Sequence, residues 1–546
     1  MTEQPWPGAP REPGRWGGGP PVAPPGNTAL PPLPGPGGVV GGSPGSNPWA
    51  APVVPEMPPP PPRVPPTVAP FPGLNYQVPL VDKAPRWIVF SSIVVVIALL
   101  AGAGYVVVKG GRHYPSKWDP RVAPIAAWVA KNRKIDFKHP VEVKFLTPAE
   151  YTKASTGGDD AKKADSAADK KAMDDALAQL RALGLIEGKV DLGKASDTLS
   201  DSGSLAFYSP EDKKVYIRGS QMTPGLRVTL AHELTHVLQD QHFDLSRMYD
   251  LPDGKAGVMR ALAEGDATRI ENIYRDKVLT PAERTAYEKQ SQKESSDATT
   301  KLDKEVPPVL TAMFDAPYIF GPELVSYLEA KDKGSGIDEA FQDPPTEEVL
   351  WNPQTFQSDD AKGKEIEVAT PSGTTKTDGG EFGQTAWFLL LASRLDPKVA
   401  LKAVDGLGDD GYVTYKKSNG TVCARLSVTG DRDEDTNELN AALTSWAAKG
   451  SPGAAKVSVS DGRVTLDSCD PGAKVTGIGK VSPEVLGLPV TRTQIYNSVI
   501  KQGLSETQAS CYAQTIIDSL TTAELSSDSA SPAVKTKIAD AQRHCI

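Results

Sequence analysis

Apolar and polar positions change their spacing several times along this chain, and each change marks an element. Residues 124–132 carry a short helical pattern and residues 141–146 read as a strand. Residues 205–208 and 214–217 flank Ser209-Pro210-Glu211-Asp212-Lys213, so they predict a β-hairpin. Over residues 255–278, Val258, Leu262, Ile270 and Ile273 recur at helical spacing with no proline to interrupt them. Residues 281–306 are polar and rich in Lys and Glu, which predicts an exposed helix or insertion, whereas 314–328 and 337–341 are apolar helical text. Residues 355–378 read as an exposed loop, and 382–395 as a strongly apolar helix with Trp387 in the core. Further on, strands at 412–415 and 422–428 surround the turn signal Asn419-Gly420. A helix at 436–449, a hairpin from 456–460 to 464–466 and helical text over 491–546 follow.

Two stretches fall outside this alternation. Residues 1–86 hold more than half of the 50 prolines and too few large apolar residues to build a core. They predict a disordered, partly polyproline II tail, a solvated spacer with docking to a proline-reading partner as the alternative. Residues 87–108 then run without a charge, long enough to cross a bilayer as a helix. So much chain precedes them that they read as a retained anchor and not as a cleaved signal peptide. The charged run at 152–175 reads as a solvated loop merging into a helix.

Flanking charges do not orient the anchor, but cysteine does. Cys423, Cys469, Cys511 and Cys545 all follow it, an even number that suits two disulfides in an oxidising space. Each of the pairs Cys423 with Cys469 and Cys511 with Cys545 falls inside one compact segment. The expected topology is single-pass in the cell membrane, with a cytoplasmic N-terminus and an extracytoplasmic C-terminal part. A net charge of −9 and the lack of a phosphate-cradling glycine loop argue against a nucleic-acid partner.

Candidate chemistry concentrates in residues 229–242. His232, Glu233 and His236 form the pattern HExxH in a chain with six histidines. On a helix, residues four apart lie about 40° from each other, so both imidazoles can reach one metal ion from a single face. Glu233, on the neighbouring flank, can take a proton from a water bound to that metal. Zinc needs a third protein ligand, and Glu264 on the 255–278 helix is the first candidate, with Gly265 and Ala267 letting two helices approach closely enough to share the ion. His242 competes, six residues after His236 as in HExxHxxGxxH. Gln239 stands where that pattern has its glycine, so a continuing helix would swing His242 about 240° from His236, and His242 ranks second.

HELTHVLQDQHFD followed by ALAEGDAT resembles the gluzincin type of zinc metallopeptidase, in particular a group of membrane-anchored bacterial neutral zinc metallopeptidases. The close resemblance covers residues 200–280, with a looser echo over 310–420. It implies a zincin-like fold, Zn2+ on His232, His236 and Glu264, and Glu233 as general base and acid. Thermolysin-like enzymes carry an aspartate four residues after the ligand glutamate, as partner for a zinc histidine. Thr268 stands there, and Asp240, one turn beyond His236, is the proposed substitute.

The expected chain is thus α+β: a tail at 1–86, a transmembrane helix at 87–108, a zincin-like metallopeptidase domain at 109–354, an α+β half at 355–480 and a small disulfide-closed helical module at 481–546. The expected function is a membrane-anchored zinc metallopeptidase hydrolysing peptide bonds of peptide or protein substrates. A catalytically silent module that binds a peptide or envelope protein is the alternative, and a zinc hydrolase of another bond is a third reading. Within this scheme residues 215–219 would offer a strand edge to an extended substrate, with an ordinary hairpin as the equal alternative. Tyr318 reads as a core tyrosine more readily than as an oxyanion donor.

Overall fold

The structure is a computed structural model that describes residues 114–155, 167–201, 205–332, 335–356, 358, 365–477, 479–525 and 531–546. The predicted tail at 1–86 and the predicted anchor at 87–108 lie outside the described residues. Among the described residues no helix is long and apolar enough to cross a membrane.

In chain order the first part comprises α1 (Ala123–Arg133), β1 (Glu142–Leu146), α2 (Pro148–Ser155), α3 (Ala167–Ala182), α4 (Leu192–Asp201), β2 (Ala206–Ser209), β3 (Lys214–Arg218), α5 (Pro224–Phe243), α6 (Asp253–Val278), α7 (Pro281–Glu305), α8 (Pro308–Asp332), α9 (Ser335–Gln342) and α10 (Glu348–Trp351). The second comprises β4 (Thr375–Gly380), α11 (Gln384–Ala392), α12 (Pro397–Val404), β5 (Leu407–Lys416), β6 (Val422–Gly430), α13 (Asp433–Ala448), β7 (Ala455–Ser460), β8 (Arg463–Cys469), α14 (Gly487–Lys501), α15 (Glu506–Ser519), α16 (Thr522–Leu525) and α17 (Pro532–Cys545). The class is α+β.

The predicted hairpin forms, but its surroundings differ from expectation. β3 pairs in parallel with β1 and antiparallel with β2, in the order β1-β3-β2. It is therefore the central strand, and residues 215–218 spend their backbone groups inside the sheet instead of presenting an edge. The edge strand next to α5 is β2. The physical cause is non-local: a parallel partner must arrive by a long crossover, which hairpin patterning does not reveal.

The second sheet is antiparallel in the order β4-β5-β6-β8-β7. β4 falls largely inside the stretch that reads as a loop, because Thr-Lys-Thr-Asp-Gly-Gly has no apolar alternation. As an edge strand it makes ladder bonds on one side only. Cys423 and Cys469 stand directly opposite each other on β6 and β8 and are disulfide-bonded, and Cys511 of α15 is bonded to Cys545 of α17.

One apolar cluster, including Val129, Tyr208, Val215, Ile217, Leu234 and Ile270, fills the space between the three-stranded sheet, α1 and α5. A larger cluster runs from Leu177 to Ile517 through Trp387 and Trp446, so apolar packing is continuous across positions 355 and 481. α7 stands apart: its buried residues are Ala298 and Leu302, in keeping with its polar text.

Candidate metal centre

α5 begins where Pro224 presets the first turn and Thr223 accepts the Leu226 N–H at 3.1 Å through its side chain. It ends at Asp244, in the left-handed region at φ 51°. Between these caps it is buried on nearly every side, with β2 against it and α6 packed across it. Polar side chains in such a helix must find partners within the protein.

His232 and His236 do so through their outer nitrogens. His232 Nδ1 meets Glu271 Oε2 at 3.0 Å, and a carboxylate can only accept, so Nδ1 carries the hydrogen. His236 Nδ1 meets Gln239 Oε1 at 2.8 Å. Gln239 Nε2 donates to the Ala263 carbonyl at 3.1 Å and to Asp266 Oδ2 at 3.0 Å, which fixes the amide's orientation and makes its oxygen the acceptor for His236. Both imidazoles therefore turn an Nε2 lone pair inward.

Glu264 occupies the point where those lone pairs converge. Its Oε2 lies 3.4 Å from His232 Nε2 and 3.6 Å from His236 Nε2. Neither nitrogen nor either Glu264 oxygen has a hydrogen-bond partner, and all four are buried. Lone pairs facing a carboxylate repel unless something positive lies between them. The separations are long for hydrogen bonds but match the edge of a tetrahedron drawn around zinc at its usual bond lengths, about 3.4 Å. The donor set of two imidazoles and one carboxylate is also that of catalytic zinc. The residues present fit the metal.

Titration follows the same geometry. Burial opposes a charge on His232, but Glu264 and Glu271 outweigh it and hold its pKa well above the ordinary value. Burial dominates at His236, which is held below it. For Glu264 burial is outweighed by the two histidines, so its carboxyl stays ionised below the ordinary range.

Glu233 lies beside the triad. Its Oε2 accepts the Tyr208 N–H of β2 at 2.8 Å, while Oε1 is buried with no hydrogen-bond partner. Burial first, with Glu264 and Glu271 adding to it, pushes this carboxyl well above its usual pKa despite the opposing pull of His232 and Tyr208.

Of the residues singled out in the sequence, the structure brings His232, His236 and Glu264 together with Glu233 next to them. His242 is not among them: α5 continues past Gln239, and His242 Nε2 turns outward to the Asp136 carbonyl at 2.8 Å. Asp240 is not the histidine partner expected of it, because it is engaged by Tyr208 Oη at 2.6 Å and Lys213 Nζ at 2.6 Å. The close approach at Gly265 is not to α5 either; a Cβ there would land on the Gly321 carbonyl of α8. Tyr318 is buried, as a core tyrosine would be, yet it lies near enough to Glu264 to feel its charge. Glu271 and Gln239 were missed. Glu271 lies seven residues, two turns, after Glu264 and so on its face, a signal the sequence did contain.

Searches of family models, curated proteins and solved structures find no match to this chain.

Proposed function

We propose that this chain is a gluzincin-like zinc hydrolase acting on peptide bonds. One observation carries the reading: two inward Nε2 lone pairs and the Glu264 carboxylate converge, buried, with no hydrogen-bond partner. His232, His236 and Glu264 would hold Zn2+, whose chemistry when bound is to acidify a water and polarise the scissile carbonyl.

The chain's own groups divide the remaining work. Glu233 is held by the Tyr208 N–H through one oxygen, which leaves Oε1 to accept the water's proton. The same carboxyl can then deliver that proton to the leaving amine. Glu271 and Gln239 keep both imidazoles in the ligating tautomer. The apolar anchor at 87–108 and the two disulfides support a location outside the cytoplasm.

A silent binding module is the second reading, and one feature favours it. His232 is 1 % exposed and Glu233, His236 and Glu264 are each 0 % exposed, so substrate reaches the centre only if its cover moves. The deciding measurement is zinc content and peptide cleavage for the full chain in detergent. Glu264→Ala should lose zinc, His242→Ala should keep it, and Glu233→Gln should keep zinc but lose cleavage by about 100-fold or more. Zinc lost in His242→Ala and kept in Glu264→Ala would overturn the ligand set. Zinc bound without cleavage of any peptide by the wild type would favour the silent module.

A further inference from the structure

Arg260 precedes Glu264 by four residues on α6, which puts both on one flank of the helix. Its guanidinium carbon lies 5.7 Å from the centre of the Phe314 ring. Phe314 sits one turn before Tyr318 on α8, their ring centres 5.9 Å apart, and Tyr318 lies near enough to feel the charges of both Glu264 and Arg260. Arg260 is thus at the rim of the metal centre. It is also on the side where burial fades, since Arg260 is half-buried and Tyr249, near enough to feel its charge, is 38 % exposed.

Arg260 differs from its neighbours in having no acceptor among the described residues. Arg133 is paired with Asp266 and Asp338, and Arg269 with Asp266 and Glu329. Arg260 forms no hydrogen bond or ion pair with any described residue, and its Nε is fully buried. Asp315 feels its charge but stays beyond ion-pair distance. A partly desolvated guanidinium without an acceptor is costly, and the cost is recovered when a ligand brings one.

We infer that Arg260 seats a carboxylate of the substrate at the rim of the metal centre. The planar fork of the guanidinium donates two parallel N–H bonds to such a group, which a substrate can supply from its C-terminus or from an acidic side chain. This assignment rests on the hydrolase reading above and adds the substrate class to it.

The test uses the full chain carrying Glu233→Gln, loaded with zinc, and three matched pools of random heptapeptides. The first has amidated ends and no acidic residue, the second a free C-terminus, and the third amidated ends with one glutamate. Retained peptides are quantified by mass spectrometry and their Kd values by anisotropy. One of the carboxylate pools should bind roughly tenfold or more tighter than the neutral pool, and which one does so identifies the source. Adding Arg260→Gln should erase that preference while leaving zinc content unchanged, and Arg260→Lys should retain part of it. If Arg260→Gln does not hold zinc, the reduced preference in Arg260→Lys decides. Binding without carboxylate preference, or a preference that survives both changes, overturns the assignment alone. Failure to bind any pool overturns it together with the hydrolase reading.

Discussion

Glu271 accepts from Nδ1 of His232 at 3.0 Å, and by doing so it determines which nitrogen of that imidazole faces Glu264. The two glutamates lie on one face of α6, two turns apart, so a single helix supplies both a ligand and the group that orients another ligand. Glu271→Ala should therefore weaken zinc binding by about 10–100-fold. Glu271→Gln should fall between that variant and the wild type, because an amide oxygen still accepts from Nδ1 but brings no charge. Competition against a chelator of known affinity measures both. An unchanged affinity in Glu271→Ala would remove Glu271 from the site.

Proton competition follows from the same contacts. His232 is buried, but Glu264 and Glu271 raise its pKa well above the ordinary value of 6.5, so without metal it holds a proton more tightly than a free imidazole does. Zinc must displace that proton. Affinity should therefore rise with pH across the neutral range, with proton release on binding. Calorimetry in two buffers of different ionisation enthalpy reports the protons released, and equal apparent enthalpies in both would contradict this account.

These contacts separate what the sequence could express from what it could not. His232 and His236 were legible because a four-residue interval maps onto one helical face, and Glu264 because it lies in an unbroken helical pattern. The disulfides were legible because each pair is local. Gln239 was legible only as a departure from a glycine, since nothing in its own neighbourhood predicts that Ala263 and Asp266 will fix its amide. The central place of β3 depends on β1, a distant parallel partner, and β4 carries no alternation. Contacts decided across elements were the ones that patterning along the chain missed.

Gly265 and Gly321 set the spacing of α6 and α8. A Cβ at Gly265 would meet the Gly321 carbonyl, and one at Gly321 would meet the Ala261 carbonyl, so backbone stands where a side chain would go on either helix. Backbone cannot step aside as a flexible side chain can. Gly265→Ala should destabilise the protein by about 1–3 kcal/mol and, by pushing α6 away, also weaken zinc binding through Glu264. Gly257→Ala, inside the same helix with no neighbour near the added atom, is the control: it should leave zinc binding unchanged and, if anything, stabilise the fold. Thermal melts with and without zinc make the comparison, and equal behaviour of the two variants would contradict it.

Asp410 gives the second half of the chain a pH dependence of its own. Its Oδ2 accepts from the Trp387 indole at 2.6 Å and from the Gly383 N–H at 3.0 Å. Burial, reinforced by Glu381 and Glu347, outweighs those bonds and pushes its pKa from 3.8 to about 8. The folded state therefore binds this proton more tightly than the unfolded one. That contribution to stability is fully present below the unfolded value of 3.8 and is lost as pH rises through the folded value of about 8. Glu347, raised mainly by burial to about 7, acts in the same direction. Carboxyls held below their ordinary range, such as Asp266, act in the opposite sense, but only in acid. Asp410→Asn keeps an oxygen for Trp387 and Gly383 and has no proton to lose. Its melting temperature should fall less between about pH 5 and about pH 9 than that of the wild type, with Glu347, Glu348 and Asp315, all raised mainly by burial, contributing to the slope that remains. Parallel slopes for the two proteins, or a wild type that gains stability over this range, would show that Asp410 is ionised in the folded chain.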